Sequence, residues 1–248
     1  MEKKSLVFLG SKPIGYHCLY YLIRQKDQLG IEIAGLLTND NPRFSTTLSL
    51  RTLAEGHGIP VFDSLDELPT VDYLYSVQYH QILKEHHIHK AKKIALNLHM
   101  APLPEYRGCN QFSFAIVDQR DEFGTTIHQM DAGIDQGDIV FERRFKIPEN
   151  CWVDELYELT FNASLDLFIE TISEILNGNY TLTPQQQLVG ERGTSLHYRS
   201  DINKLKEIDL NWSRDAIARH IRATYMPGFE PPYAMIGTQK IYFKKEWE

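Results

Sequence analysis

The first hundred residues contain a series of short, uninterrupted apolar runs: "SLVFLG" at 5–10, "IEIAGLLTN" at 31–39, "IPVF" at 59–62, "VDYLYSV" at 71–77 and "KIALNLH" at 93–99. A strand with one face in water alternates apolar and polar residues, whereas a continuous run needs cover on both faces. Helix-like segments, "GYHCLYYLIRQ" and the stretch around "LSLRTLAEGHG", separate the first runs. That alternation predicts an α/β fold: a doubly wound, Rossmann-like, mostly parallel sheet with helices on both faces. In such sheets ligands meet the carboxyl ends of the strands. With 248 residues and 42% hydrophobic content, the chain can bury a sizeable core.

Further along, "CNQFSFAIVDQ" reads as a helix, and "GTTIHQMD" and "DIVFERRFKI" as two more strands. "VDELYELTFNASLDLFIETISEIL" predicts a long helix that ends near Asn177 and Gly178. Asp154 is its expected N-cap, and Leu156, Leu159, Ala163 and Leu167 its core stripe. Beyond about residue 185 the texture changes. We divide the chain into a main domain, 1–188, and a small α+β appendage, 189–248, with a β-hairpin across "MIGTQKIYF".

A net charge of −7 argues against a nucleic-acid partner, because phosphate binding needs clustered Lys and Arg. Cys18, Cys109 and Cys151 are scattered, with no CxxC pair, so neither a disulfide framework nor a structural zinc site is expected. "LVFL" is too brief for a signal core or a membrane span. The expectation is a cytoplasmic protein with no membrane partner.

Two motifs with a chemical look are set aside. Gly10 and Gly15 suggest a phosphate loop, but Tyr16 and His17 stand where Lys and Ser/Thr belong. Ser11 and Lys12 still sit at a strand's carboxyl end, where an anion could meet a helix N-terminus. His86, His87 and His89 invite a metal, but with no carboxylate or cysteine completing the set they read as solvated surface, and no metal is assigned.

"NLHMAPLPEYRG" is different in kind. On a strand, residues two apart point the same way, so Asn97 and His99 project together. Alone, the pair caps a strand end as readily as it catalyses. "HQMDAGIDQGDIV" adds Asp131, Asp135 and Asp138 around Gly133 and Gly137. An Asp in such a loop either hydrogen-bonds its own backbone or meets a partner. If one lies beside His99, an amide, an imidazole and a carboxylate suit attack on a carbonyl: donors hold an oxyanion and the carboxylate takes a proton. No Ser or Cys stands in a nucleophile turn, so the substrate supplies the nucleophile and the acyl group moves directly.

At these residues the sequence resembles the folate-dependent formyltransferase family, which carries Asn-x-His, then Leu-Pro-x-Tyr-Arg-Gly, then Met-Asp-x-Gly-x-Asp-x-Gly. Here they read "NLH", "LPEYRG" and "MDAGIDQG". The resemblance covers most of residues 1–180, departing at "HMAPLP", where the family often has Ser-Leu-Leu-Pro. It implies Asn97, His99 and Asp135 as the catalytic three and 10-formyltetrahydrofolate as formyl donor. It also implies a pterin slot between Tyr79, Gln81, Ile82 and Leu83 on one loop and Asp131, Ala132, Gly133 and Ile134 on the other. Lys12, Tyr79 and Arg107 are candidate acceptor contacts.

The family divides by acceptor amine. A short tail with "SLHYRSDINKLKEIDL" resembles the nucleotide-sugar N-formyltransferases, which act on nucleotide-linked amino-deoxy sugars for surface polysaccharide such as O-antigen and are often homodimers. Residues 201–248 hold eight Lys/Arg against seven Asp/Glu, a net of +1, which is poor attraction for tRNA. A shortened methionyl-tRNA formyltransferase and a non-catalytic folate- or nucleotide-sensing domain are the alternatives.

Overall fold

β1 (Lys4–Gly10) is buried at every position from Leu6 to Gly10, as a central strand covered on both faces requires. A computed structural model describes residues 3–39 and 48–245. After β1 the chain runs through α1 (Lys12–Leu29), β2 (Ile31–Thr38), α2 (Leu50–Gly56), β3 (Val61–Phe62), β4 (Val71–Val77), α3 (Glu85–Ile88) and β5 (Ala91–His99). It continues through β6 (Arg107–Gly108), α4 (Gln111–Val117), β7 (Glu122–Gln129), β8 (Ile139–Lys146) and α5 (Val153–Asn177). No helix among the described residues is long and apolar enough to cross a membrane.

The main sheet has the order β3-β2-β1-β4-β5-β7-β8. Its first five strands are parallel, and β7 and β8 are antiparallel additions at the β5 edge. The chain winds outward from β1 to β3 and then returns to β4 on the other side of β1. Between β1 and β4 the winding reverses, which opens a crevice at the carboxyl ends of β1, β4 and β5.

α5 closes one face of the sheet. Its Phe168 is fully buried and stands edge-on to Tyr75 of β4 at 5.1 Å between ring centroids. Truncating such a side chain typically costs 3–5 kcal/mol through lost transfer energy and the cavity left behind. Two expectations for this helix are corrected. Its N-cap is Trp152, whose backbone N–H donates to the Glu155 carboxylate, while Asp154 lies in the first turn and pairs with Lys245. Leu159 is 39% exposed, because the buried stripe runs through Leu156, Thr160, Ser164, Leu167 and Thr171 instead. Small polar residues fit there because their hydroxyls find partners: Thr160 bonds the Leu156 carbonyl, and Ser164 the Thr125 hydroxyl of β7.

The C-terminal region holds α6 (Val189–Arg192), β9 (Leu196–His197), α7 (Ile202–Lys206), α8 (Arg214–Thr224) and the hairpin β10 (Tyr233–Ile236) with β11 (Gln239–Tyr242). It is joined to the main sheet's loops by β9, which pairs parallel with β6.

Candidate active site

Asn97 and His99 lie at the carboxyl end of β5 with their side chains on one face. The β5–β7 register sets Asn97 opposite His128 and His99 opposite Thr126. Directly opposed residues of an antiparallel pair share a face, so His128 joins Asn97. The Asn97 amide Nδ2 stands 3.2 Å from His128 Nε2 and 3.4 Å from Asp135 Oδ1. Asp135 Oδ2 is 3.6 Å from His99 Nδ1, and Oδ1 is 3.5 Å from His128 Nε2. Asn97, His99 and Asp135 therefore converge on one point, with His128 as a fourth member that sequence reasoning passed over as a strand residue.

The loop between β7 and β8 is shaped to deliver Asp135. Gln129 N–H bonds the Asp138 carbonyl across its base. Gly137 packs so close to that base that a Cβ would fall 2.0 Å from the Gln129 carbonyl oxygen. Asp135 itself adopts φ 49°, a left-handed conformation that non-glycine residues seldom hold without support. Support comes from Gln185, buried fifty positions downstream, whose Nε2 donates to the carbonyls of Asp135 (3.0 Å) and Gly137 (2.7 Å). Of the other two aspartates, Asp131 accepts from the Gly133 amide in its own turn, and Asp138 offers its carbonyl to β7.

A second loop grips the same carboxylate. Gly108 N–H donates to Asp135 Oδ2 at 2.9 Å. Gly108 has φ 84°, and a Cβ there would meet the His197 carbonyl oxygen at 2.2 Å, so only glycine brings this amide into place. Burial pushes the Asp135 carboxyl toward the neutral form, but the His99 ring and the Gly108 amide act against it, and its pKa lies well below the usual carboxylate range. Asp135 is thus a largely shielded carboxylate that stays ionised.

Hydrogen bonds also settle which ring nitrogens face the crevice. His99 Nε2 lies 2.7 Å from the Tyr106 carbonyl, an acceptor only, so Nε2 carries a proton and Nδ1 faces Asp135. His128 Nδ1 likewise donates to the Gln129 carbonyl at 2.8 Å, leaving Nε2 to accept from the Asn97 amide. Tyr106 is fixed in turn: its hydroxyl donates to Asp118 at 2.9 Å and accepts from Arg120 at 3.1 Å.

The remaining sequence candidates line the surrounding edge. Tyr79 and Leu83, after β4, share an apolar cluster with Met130 at the start of the Asp135 loop. Leu83 is buried there, Gln81 is exposed and Ile82 is 67% exposed. In the Asp135 loop, Asp131 and Ala132 are exposed, and Gly133 and Ile134 half-buried. The Lys12 ammonium donates to Gln78 Oε1 at 2.8 Å. Burial lowers its pKa, Cys109 opposes that shift and Arg199 adds to it. Arg107 reaches over the loop toward Gln136 Oε1 at 3.4 Å.

The His86/His87/His89 reading needs correction. A carboxylate does complete a set: Asp66, from a 3₁₀ turn at Leu65–Glu67, stands 3.3 Å from His87 Nε2 and 3.9 Å from His86 Nε2. The contact is tertiary, so residue spacing did not reveal it. His89 turns away toward Glu85. Because His87 Nδ1 accepts the Lys84 N–H, its Nε2 bears the proton and donates to Asp66, which withdraws the lone pair a metal would use.

Residues 54–172 match the family described as formyl transferase. Over 232 residues the chain is 27% identical to a methionyl-tRNA formyltransferase of Citrifermentans bemidjiense, covering 88% of this chain and 70% of that one. It is 28% identical over 172 residues to a GDP-perosamine N-formyltransferase of Brucella melitensis, covering 69% and 63%. Among solved structures, an N-formyltransferase from Helicobacter canadensis, crystallised with folinic acid and dTDP-3-aminofucose, superposes with a TM-score of 0.77 at 24% identity over 95% of this chain and 85% of that one. At that identity the superposition speaks for the fold.

Proposed function

We propose that this chain, whose residues 54–172 match the formyl transferase family, transfers the formyl group of 10-formyltetrahydrofolate to the amine of a nucleotide-linked amino-deoxy sugar. The observation that carries the chemistry is the placement of Asn97 and His99 within 3.4–3.6 Å of an ionised Asp135. The acceptor class is supported by the likeness to a GDP-perosamine N-formyltransferase and by a fold shared with a dTDP-aminosugar enzyme.

The formyl donor brings an activated one-carbon carbonyl to the crevice. Its flat, polar-edged ring suits the slot between the Tyr79–Leu83 loop and the Asp131–Ile134 loop, where Tyr79, Leu83 and Met130 give an apolar floor and exposed loop backbone gives donors and acceptors. Asn97 and His99 hold the oxygen of the carbonyl under attack. With Nε2 committed to Tyr106, His99 works through Nδ1 alone. Asn97 turns one amide proton from Asp135 toward the developing oxyanion, and His128 keeps the other in place. Asp135 receives the proton that the acceptor amine loses as its nitrogen bonds to the formyl carbon, and that proton leaves on the departing nitrogen. Nothing is oxidised or reduced, and no covalent acyl-enzyme forms.

In this reading residues 1–188 carry the chemistry and 189–248 complete the acceptor side, with Lys12 and Arg107 among the acceptor's neighbours. The working form is a homodimer, for which the exposed Ile236, Ile241 and Tyr242 of the hairpin offer apolar area. Light scattering on the purified protein checks that state. A second acceptor, methionyl-tRNA, is favoured by the Citrifermentans bemidjiense relative and opposed by the net charge of −7. The test is a mass-spectrometric assay with 10-formyltetrahydrofolate and dTDP-, UDP- and GDP-linked 3-amino and 4-amino deoxysugars, with charged initiator tRNA as control. A formylated sugar nucleotide is expected. Formylated tRNA alone overturns the sugar reading in favour of the second acceptor.

A further inference from the structure

Tyr106 and Gly108 serve the site through their backbones: the Tyr106 carbonyl fixes the His99 tautomer, and the Gly108 amide holds Asp135. Backbone groups go where their loop goes, so whatever grips residues 103–108 sets the geometry of both. Part of the grip comes from β7 and β8. Thr126 of β7 pairs with Glu142 of β8, and Arg144 lies two residues further on, so the three side chains share one face of the sheet. The Thr126 hydroxyl accepts the Leu103 N–H at 3.2 Å and donates to the Ala101 carbonyl at 2.9 Å.

A chain of charges runs beside it. Arg144 Nη1 donates to Glu105 Oε1 at 2.7 Å, while its Nε and Nη2 donate to Glu142 Oε2, each at 3.3 Å. From the other side Glu142 receives both arms of Arg192, the last residue of α6, at 2.9 and 3.0 Å. Arg192 Nη1 also reaches the Leu103 carbonyl at 3.4 Å. The circuit thus leaves the loop at Glu105 and returns to it at Leu103. Three residues after Arg192, Ser195 adds its N–H (3.0 Å) and its hydroxyl (2.6 Å), both to the Glu105 carbonyl.

These are not surface pairs. The four side chains are 10–28% exposed, Glu105 the least, and Glu105 Oε2 is buried with no hydrogen-bond partner among the described residues. A half-paired carboxylate out of water costs stability, and an apolar contact would hold the loop at lower cost. What apolar packing does not supply is direction. A planar guanidinium bonded on several edges fixes its partners in place as well as near.

We propose that Arg144 and Arg192 are positioning residues for the reaction: through Glu142 and Glu105 they clamp residues 103–108, so that the Tyr106 carbonyl and the Gly108 amide stay on His99 and Asp135. The clamp rests on the reaction proposed above, in which His99 and Asp135 do the chemistry.

The test uses the full chain with Arg144→Met and Arg192→Met, which keep much of the side-chain length and remove the charge. One readout needs no substrate. Nitrogen-15 spectra of the histidine rings report which nitrogen of His99 bears the proton: Nε2 in the wild type, a mixture of both in the variants. The other readout is kinetic, with 10-formyltetrahydrofolate and whichever aminosugar nucleotide is formylated. Each variant should lower kcat about tenfold with the KM of donor and acceptor held. The acidic limb of the kcat profile should move to higher pH, because Asp135 loses a donor that favours its ionised form. Arg192→Lys should recover only part, since an ammonium does not reproduce the two-armed contact with Glu142. The double variant should be little slower than either single one, because the two arginines share Glu142. A kcat within twofold of wild type in both Met variants, beside normal sugar formylation, defeats the clamp and leaves the acceptor reading intact. An altered His99 spectrum in the variants, with no sugar formylated by the wild type, does the reverse. If the Met variants lose folded structure, Arg144→Lys and Arg192→Lys carry the same test, and an unmoved His99 spectrum and acidic limb in them overturn the proposal.

Discussion

Two places in this molecule set a carboxylate between two histidines, and they share little else. Asp135 lies 3.6 and 3.5 Å from His99 and His128, with its side chain 16% exposed; Asp66 lies 3.3 and 3.9 Å from His87 and His86, with its side chain 83% exposed. By distance alone the second cluster is the equal of the first. At Asp135 a backbone amide and a primary amide add donors out of water, where each interaction is worth several times its value at the surface. At Asp66 solvent screens the pair and the histidine tautomer is spent on the contact itself. Residue type and proximity nominate a site; burial and fixed donors give it chemistry.

The largest contrast should appear on removing each carboxylate in turn. Asp135→Ala is expected to lower kcat by about three orders of magnitude or more, since it removes the proton acceptor and frees His99 and Asn97 from their geometry. Steady-state kinetics read this directly, and a variant within tenfold of wild type would end the proposed mechanism. His128→Ala should fall next, roughly ten- to a hundredfold in kcat with folate affinity held, because Asn97 loses the acceptor that orients its amide. Partial recovery in His128→Gln, whose carbonyl can still accept from Asn97, separates positioning from bulk.

The same contrast has a pH dependence. The folded-state pKa of Asp135 is depressed, so its stabilising contribution is full above the unfolded value, near pH 4, and drains away as pH falls toward the lower folded value. Wild-type stability should therefore decline more steeply than that of Asp135→Asn between about pH 5 and 3. Denaturant melts across that range decide it, and parallel curves would refute the ionised assignment.

A more modest effect is expected from Gly137→Ala, at about 2 kcal/mol of stability, as the added Cβ collides with the Gln129 carbonyl and opens the loop base. Its thermal midpoint should drop together with activity. Asp66→Ala completes the comparison from the other end. Activity within twofold of wild type and stability within about 0.5 kcal/mol would mark the second cluster as surface chemistry.

How far the sequence carried each region follows from the range of the forces involved. Strand positions were legible because burial on both faces writes a continuous apolar run, as in β1, β4 and β5. That β7 and β8 turn antiparallel was not, since direction depends on which edge a strand joins. Asn97 and His99 were legible as a pair from the period of two along a strand. His128 was not, because its place beside Asn97 comes from pairing register between strands thirty residues apart. Gln185 was hidden further still: it supports the Asp135 backbone from fifty residues away through an ordinary side-chain amide in an unremarkable "QQQ". His87 and the exposed Leu159 show the converse: the local pattern read His87 as solvated surface, yet it is buried beside Asp66, and Leu159 as core, yet the buried stripe of its helix passes it by.

The two-residue ladder between Arg107–Gly108 and Leu196–His197 has a consequence for how such a protein can be re-engineered. It makes the tail a graft with a required splice. A transplanted tail that keeps the backbone rungs now provided by Ser195 and His197, and leaves room for the glycine between them, would leave the Gly108 amide on Asp135. A tail cut without those rungs would free the loop that holds that carboxylate.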